Sequence, residues 1–456
     1  MLNVNMSNPV KKLIGLLAGH RNISALAFSH SNPASLTPEV MTGQDAGEHT
    51  EKLTWQHQLI KRLVLKSLES LAVGKLIVTD GNGVFEFGDT GSDFTAEIII
   101  RDFAAYQCFF RNGSIGAGEA YMQGFWDSPN LLNVIRLFCM NIDILNSQHD
   151  DRPGVSQIVT GLLHRLNANT VKGSKENISA HYDLGNDFFS LFLDKSMMYS
   201  SAVYQHAEQS LDQAAEFKLD LVCQKLQLKA SDHLLEIGTG WGGMAIYAAQ
   251  RYGCQVTTTT ISQEQYDYAS QAVKDAGMQD QITVLLRDYR ELEGQYDKLV
   301  SIEMIEAVGY EYYREYFSRC AKLLKPEGLM CIQAITIADQ RFERAKKTVD
   351  FIQRYIFPGG FLPSLQAISA NVAEHTDMQI VHVQDIGRDY ARTLNAWRER
   401  FRTRLEDIKT LGYADNFCRM WEYYLCYCEG GFLERTISTV QVVMAKPSAR
   451  DEFSYL

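Results

Sequence analysis

Leu234-Leu235-Glu236-Ile237-Gly238-Thr239-Gly240-Trp241-Gly242-Gly243 is the stretch on which the fold is read. An apolar run carries an acid near its end. Glycines follow at alternate positions, and then Met244-Ala245-Ile246-Tyr247-Ala248-Ala249. This order predicts a buried parallel strand, a tight turn and the opening of a helix. Gly238, Gly240 and Gly242 lack a Cβ and so let backbone approach a ligand closely. The spacing Glu-x-Gly-x-Gly-x-Gly differs from Gly-x-Gly-x-x-Gly, which seats a dinucleotide pyrophosphate on a helix N-terminus.

Outward from this stretch, strand patterns alternate with helix patterns. The expected strands are His233–Ile237, Gln255–Thr260, Ile282–Leu286, Lys298–Ile302, Leu329–Ile337 and a late pair near Ile380–Val383 and Thr436–Met444. The alternation predicts an α/β fold, a mainly parallel sheet with helices on both faces. Ligands of such sheets bind beyond the strand carboxyl ends. The glycine stretch, Thr259-Thr260-Ile261-Ser262, Arg287-Asp288-Tyr289-Arg290 and Ile302-Glu303-Met304-Ile305-Glu306 all fall at strand ends and should converge. Glu236 suits an ammonium or a backbone donor. Thr260, Ser262 and Gln265 stand where dinucleotide enzymes place a ribose-binding acid, which speaks against NAD. Asp288 beside Tyr289 suits an adenine amino group. Taken singly, such residues are ordinary cap and turn formers.

Upstream the period changes. Residues 1–50 are rich in Ser, Asn, Thr and Gly and read as a loosely ordered lead-in. A helix is expected from Trp55 to Leu71, then short strands at Lys75–Asp80, Val84–Phe87 and Ala96–Ile100. Asp80-Gly81-Asn82-Gly83 and Gly88-Asp89-Thr90-Gly91 carry hairpin-turn chemistry. Helices are expected around Phe103–Phe110 and Leu131–Asn141. These elements form a smaller α+β domain over residues 51–146. Residues 147–176, with Pro153, Gly154 and Gly173, read as a linker. The larger domain spans 177–447, and 448–456 is a tail. A helix is expected from about Leu211 to Leu226. Two readings of Gly113–Asp127 stand open, packing with turns or contact with an apolar substrate. Arg341, Arg344, Lys346 and Lys347, and then Arg398, Arg400, Arg402 and Arg404, read first as helix faces paired with acids. The other reading is phosphate headgroup contact. Trp421-Glu422-Tyr423-Tyr424-Leu425 reads as core.

The net charge of −11 excludes a general attraction to nucleic acid or anionic lipid, so any membrane contact must be local. No apolar run reaches the ~18–20 residues of a spanning helix. Val10–Gly19 is basic then apolar, weaker than a signal core, and a cytoplasmic N-terminus is expected. Nine cysteines form no Cys-x-x-Cys pair, and Cys426-x-Cys428 has no second ligand pair. Reduced, mostly buried thiols and no metal site are expected.

The glycine stretch resembles motif I of the Rossmann-like S-adenosylmethionine methyltransferases. Over about residues 55–447 the chain resembles the cyclopropane-fatty-acyl-phospholipid synthase family. The resemblance is carried by His181-Tyr182-Asp183-Leu184-Gly185-Asn186, the glycine stretch itself, Thr260–Gln265 and Arg287–Arg290. It extends through Glu303–Gly309, Tyr355–Gly360, Tyr390–Trp397 and, upstream, Gly113–Asp127. It implies a Rossmann-like methyltransferase domain with a smaller N-terminal α+β lipid-associated domain. It also implies a homodimer with no nucleic-acid partner, cytoplasmic and attached peripherally to the inner face of the membrane. The substrates it implies are S-adenosylmethionine and the cis double bond of an unsaturated phospholipid acyl chain. The donor site it implies is Tyr182, Ser200, Glu236, Gly238, Gly240, Gly242, Thr260, Ser262, Gln265, Asp288 and Tyr289.

The family's reaction leaves a carbocation on the acyl chain and needs a base to complete it. Faces of Tyr182, Tyr199, Phe357 and Tyr390 are candidates to stabilise the cation. The family is understood to use a bound bicarbonate as the base, held by a Cys, a Glu, a His, an Ile backbone group and a Tyr. Glu306, Ile335 and Tyr390 match that set. Ser201 stands in place of the Cys and Gln333 in place of the His. Gln can donate to an anion but carries no titratable proton. The seat is altered, so the product stays open between a cyclopropane and a methyl-branched or methylene chain. Two other classes compete: a small-molecule N- or O-methyltransferase and a non-catalytic lipid-binding protein. The N-terminal domain speaks against the first, and the intact glycine motif against the second.

Overall fold

The computed structural model describes residues 54–145 and 184–450. The expected lead-in and linker, His181, Tyr182 and the last six residues of the tail lie outside the described residues.

The N-terminal part opens with helix α1 (Trp55–Leu68) and strands β1 (Lys75–Asp80), β2 (Gly83–Gly88) and β3 (Thr95–Ile100). Helix α2 (Ala104–Met122), strand β4 (Trp126–Asp127) and helix α3 (Leu131–Met140) follow. The strand order is β2-β1-β3-β4. β1 and β2 form the expected hairpin, and Asn82 N donates to Asp80 Oδ1 at 2.8 Å across its turn. The second turn is not a hairpin, because β3 pairs with β1, in parallel. Gly88 presses on the Gly74 carbonyl, and Asp89 N donates to that same oxygen at 3.0 Å. The chain thereby crosses the foot of β1, where Lys75 N donates to Phe94 O at 2.9 Å. Turn chemistry announces a bend but not which edge the chain pairs with after it.

Helix α2 runs past its expected end and kinks at Gly113, whose φ/ψ of 53°/−124° is not helical. Gly116 lies against the Cys108 carbonyl. Gly118 faces Phe351 so closely that a Cβ would sit 2.5 Å from its ring. Gly116 and Gly118 are therefore used for packing, whereas nothing lies within 4 Å of a Cβ built on Gly113 or Gly124.

The second sheet has seven strands. They are β5 (His233–Ile237), β6 (Gln255–Thr260), β7 (Ile282–Leu286), β8 (Tyr296–Ile302), β9 (Leu324–Ile337), β10 (Gln379–Asp385) and β11 (Ile437–Ala445). Their order is β10-β11-β9-β8-β5-β6-β7. β5 through β9 pair in parallel, while β11 runs antiparallel to both β9 and β10. This is the Rossmann-like α/β fold that the alternation predicts. The strand order reverses at β5, where β6 lies on one side and β8 on the other. Such a reversal opens a crevice at the carboxyl ends. Helices α4 (Leu211–Lys225), α5 (Gly243–Tyr252) and α6 (Gln263–Asp275) serve this half of the sheet. Ser210 caps α4 in a reciprocal box with Gln213.

Two late helices, α7 (Gly387–Thr403) and α8 (Asp415–Leu433), join the two parts. Trp421, Tyr423, Tyr424 and Leu425 of α8 are buried, as their reading as core requires. Gly430 seats α8 against Ile135 of α3, and Arg419 donates to Trp126 O at 3.0 Å and to Asp127 at 2.7 Å. The second arginine run faces inward or onto acids. Arg398 is buried on Glu429 at 2.9 Å, Arg400 donates to Leu193 O, Arg402 pairs with Glu422 and Arg404 with Asp407. In the first run Arg341 donates to Thr436 O and Lys346 pairs with Glu343. No helix among the described residues is long and apolar enough to cross a membrane.

Gly118→Val places two methyls in the Phe351 ring. Overpacking of this kind costs about 1–3 kcal/mol. Urea unfolding should show that loss for G118V, and an unchanged midpoint would contradict the packing role.

Candidate active site

Gly238, Gly240 and Gly242 all hold positive φ, 103°, 52° and 90°, where a side chain would be strained. Gly238 N and Thr239 N both donate to Thr259 O, which ties the turn to β6. Nothing lies within 4 Å of a Cβ built on Gly240, so backbone there borders open space. Glu236, just before the turn, is only 3% exposed. Its Oε2 has no hydrogen-bond donor among the described residues. Burial pushes this carboxyl up to about 8. A buried acceptor without a donor beside an open glycine turn fits the ammonium of an amino acid, and so fits the methionine end of S-adenosylmethionine.

The other expected donor-site residues divide. Thr260 Oγ1 bonds Gln265 Oε1 at 2.8 Å, and Ser262 Oγ caps α6 by accepting from Gln265 N at 3.2 Å. Both lie at the carboxyl end of β6, next to the glycine turn. Ser200 Oγ accepts from the buried Lys218 Nζ at 2.8 Å. Arg290 takes three of the four acceptor positions of Asp288 through its backbone N, Nε and Nη2, which leaves one on Oδ2. Tyr289 packs edge-on against Tyr316.

The opposite wall is built on Glu303, directly after β8. Its φ of 48° is left-handed, uncommon for a side chain of this size. Three donors converge on its carboxylate. Ser201 N donates to Oε1 at 2.9 Å, Gln333 Nε2 to Oε1 at 2.8 Å and Tyr390 OH to Oε2 at 2.7 Å. Glu303 N in turn donates to Gln333 O at 2.7 Å. Ser201, Gln333 and Tyr390 are buried, while Glu303 keeps part of its surface accessible. Burial raises the Glu303 carboxyl; the three hydrogen bonds and the charge of Lys218 oppose that rise.

Glu306 lies one turn further on. Its Oε1 accepts from Ile335 N at 2.5 Å, and its buried Oε2 has no donor among the described residues. Burial and the neighbouring Glu303 charge push Glu306 up to about 8. The five residues that the family resemblance implies for an anion are thus brought together. Their donors, however, point at the two glutamates. Ser201, Gln333 and Tyr390 hold Glu303, and Ile335 holds Glu306. A bicarbonate does not fit a seat already filled by a carboxylate of the chain.

Behind Gln333 a row of amides crosses the sheet. Gln441 Nε2 donates to Gln333 Oε1 at 2.9 Å, and Lys225 Nζ donates to Gln441 Oε1 at 2.6 Å and Gln384 Oε1 at 2.5 Å. Rings line the site's other side. Tyr199 lies 5.4 Å from Trp397 and 6.3 Å from Phe357, and its hydroxyl meets that of Tyr424 at 2.8 Å. Tyr390 stacks on Phe432 at 4.6 Å. Sequence reasoning missed Glu303, Trp397 and Tyr424. Among the described residues no group of three or more His, Cys, Asp or Glu is placed to hold a metal, and all nine cysteines are free.

The family model described as mycolic acid cyclopropane synthetase matches residues 169–442, more than half of the chain. The chain belongs to that family. A tuberculostearic acid methyltransferase of Mycobacterium tuberculosis is 38% identical over 82% of this chain and 88% of its own length. A cyclopropane-fatty-acyl-phospholipid synthase of Escherichia coli is 36% identical over 77% and 88%. The solved mycolic acid cyclopropane synthase CmaA1, complexed with SAH, superposes with a TM-score of 0.56 at 30% identity, covering 60% of this chain and 98% of its own. As a member of the mycolic acid cyclopropane synthetase family, this chain is an S-adenosylmethionine-dependent methyltransferase.

Glu236 and Glu306 hold their protons in the fold to about pH 8, whereas unfolded carboxyls ionise near 4.5. Between those values the unfolded chain binds fewer protons. The stabilisation from each is therefore full below about pH 4.5 and lost as pH rises towards 8. Glu306→Gln removes the share of Glu306. The wild-type unfolding free energy minus that of E306Q should fall by about 1 kcal/mol or more between pH 5 and 8.5. A pH-independent difference in denaturant titrations would contradict the protonated state of Glu306.

Proposed function

We propose that the enzyme transfers one carbon from S-adenosylmethionine to the cis double bond of an unsaturated phospholipid acyl chain and closes a cyclopropane ring. One observation carries this reading: a carboxylate seat walled by aromatic rings lies across the crevice from the donorless oxygen of Glu236. S-Adenosylmethionine supplies an electrophilic methyl on a sulfonium. An alkene is a weak nucleophile, so the protein's task is to hold the two reactants aligned with water kept out. Glu236 takes the ammonium, and the glycine turn admits the rest of the donor against backbone. Rings of Tyr199, Phe357, Trp397 and Tyr390 suit the positive charge left on the acyl chain. The carboxylate seat suits proton removal. An N- or O-methyltransferase would need neither feature.

The N-terminal part completes the reading as the lipid-associated domain of an enzyme that works at the inner face of the membrane. The Escherichia coli relative, named as acting on fatty-acyl phospholipid, supports this assignment. A second product is favoured by the tuberculostearic acid methyltransferase relative. The same cation gives a methyl-branched alkene if the proton leaves a neighbouring chain carbon. It gives a methylene chain if a hydride first shifts from the methyl-bearing carbon to the cationic one and the proton then leaves the methyl.

Incubation with methyl-labelled S-adenosylmethionine and vesicles of unsaturated phospholipid should move label into lipid. Proton NMR of that lipid then separates ring protons from olefinic ones. Label in a soluble acceptor, or none transferred, would overturn the reading. Glu236→Gln should weaken S-adenosylmethionine binding by about 10-fold or more in calorimetry, the loss of one charge-assisted hydrogen bond.

A further inference from the structure

We propose that Glu303 is itself the base of the reaction, a carboxylate of the chain in the seat where a bound bicarbonate is expected. The enzyme then needs no external anion. This rests on the acyl-chain reading above and goes beyond it by naming the group that takes the proton.

The hydrogen bonds carry the argument. A carboxylate has about four acceptor positions. Ser201 N and Gln333 Nε2 use both positions of Oε1, and Tyr390 OH uses one of Oε2. One position on Oε2 stays free, and part of the Glu303 surface remains accessible. The donors cannot turn away to serve another anion. Ser201 N is fixed backbone. The Gln333 amide is held from behind, because Lys225 can only donate. Lys225 therefore faces Gln441 Oε1, Gln441 Nε2 faces Gln333 Oε1, and Gln333 Nε2 is left facing Glu303. Burial raises the Glu303 carboxyl, and three donors with the nearby Lys218 charge oppose that rise. Glu306, with one donor and a second carboxylate beside it, is the protonated member of the pair.

In the step itself, a C–H bond of the methyl newly attached to the acyl cation breaks. Its electron pair forms the second bond to the cationic carbon and closes the ring, and the proton goes to Glu303 Oε2. For the branched product the proton leaves the adjacent chain carbon, and the pair becomes a double bond. Neither course needs an oxidant or reductant. Loss of the proton discharges the carbocation in either course, so a carboxylate stabilised by three donors is basic enough to take it.

The test follows label transfer to lipid in buffer stripped of bicarbonate. Wild-type turnover should be the same with and without added bicarbonate. E303Q keeps the shape of the seat and should lose about 100-fold or more in kcat, with KM for S-adenosylmethionine unchanged. E303G suits the left-handed backbone at this position, so it should fold. Its activity should be restored by added bicarbonate or formate. Wild-type turnover that requires bicarbonate, or E303Q within about 3-fold of wild type, would overturn the assignment. Absence of label in lipid from the wild type speaks against the acyl-chain reading. Bicarbonate dependence with label transfer intact speaks against Glu303 alone.

Discussion

A carboxylate leaving water must find donors to replace its hydration, and at Glu303 three of them converge. Much of the architecture around β8 and β9 is explained by that need. A left-handed backbone at Glu303 costs about 1–2 kcal/mol. Each hydrogen bond to a charged group contributes about 1.5–3 kcal/mol, which offsets that strain and part of the cost of burial. Residue 303 takes this conformation because it turns the side chain back towards Gln333 and Tyr390 rather than continuing the strand. Glu306, one turn on, receives the Ile335 amide instead and stays protonated. Two adjacent carboxyls thus have unlike environments, the arrangement by which acid and base roles are separated.

The antiparallel edge of the large sheet serves the same end. β11 runs against β9 in a register that sets Gln441 opposite Gln333, and β10 sets Gln384 opposite Gln441. The three glutamines therefore lie side by side, and Lys225 of α4 closes the row. A cation at one end and an anion at the other give every amide between them a single favourable orientation. Burial lowers Lys225 to about 8, which is the cost of placing an ammonium there. Helix α8 makes the second long-range tie. It presents Tyr424 to Tyr199 in the site and Gly430 to Ile135 in the N-terminal part.

The parallel core was legible because its signals are local. Apolar or β-branched runs set β5 to β8, and the glycines of the turn need positive φ, which sequence announces by residue type. Less legible was anything fixed by distant partners. The bend at Gly88 could be read, but the crossing past Gly74 to the far edge of β1 could not. Asp288 has the residue type for an adenine contact, and the sequence does not show that Arg290, two residues on, already takes three of its four acceptor positions. Glu303 was hidden by its neighbour. The family resemblance named Glu306 among the residues that hold a bound base, and nothing in Glu303-Met304-Ile305-Glu306 says that the first acid turns inward at positive φ. A signal was present all the same. By the resemblance Ser201 and Gln333 stand in place of the Cys and His of the anion seat, and the same chain carries two acids, Glu303 and Glu306, just after β8.

A crystal structure of the enzyme with S-adenosylhomocysteine, grown in the presence of bicarbonate, tests the central claim most directly. The Glu303 carboxylate should sit on Ser201 N, Gln333 and Tyr390, with no separate anion between them. A bicarbonate on those three donors, with Glu303 turned away, would contradict the account.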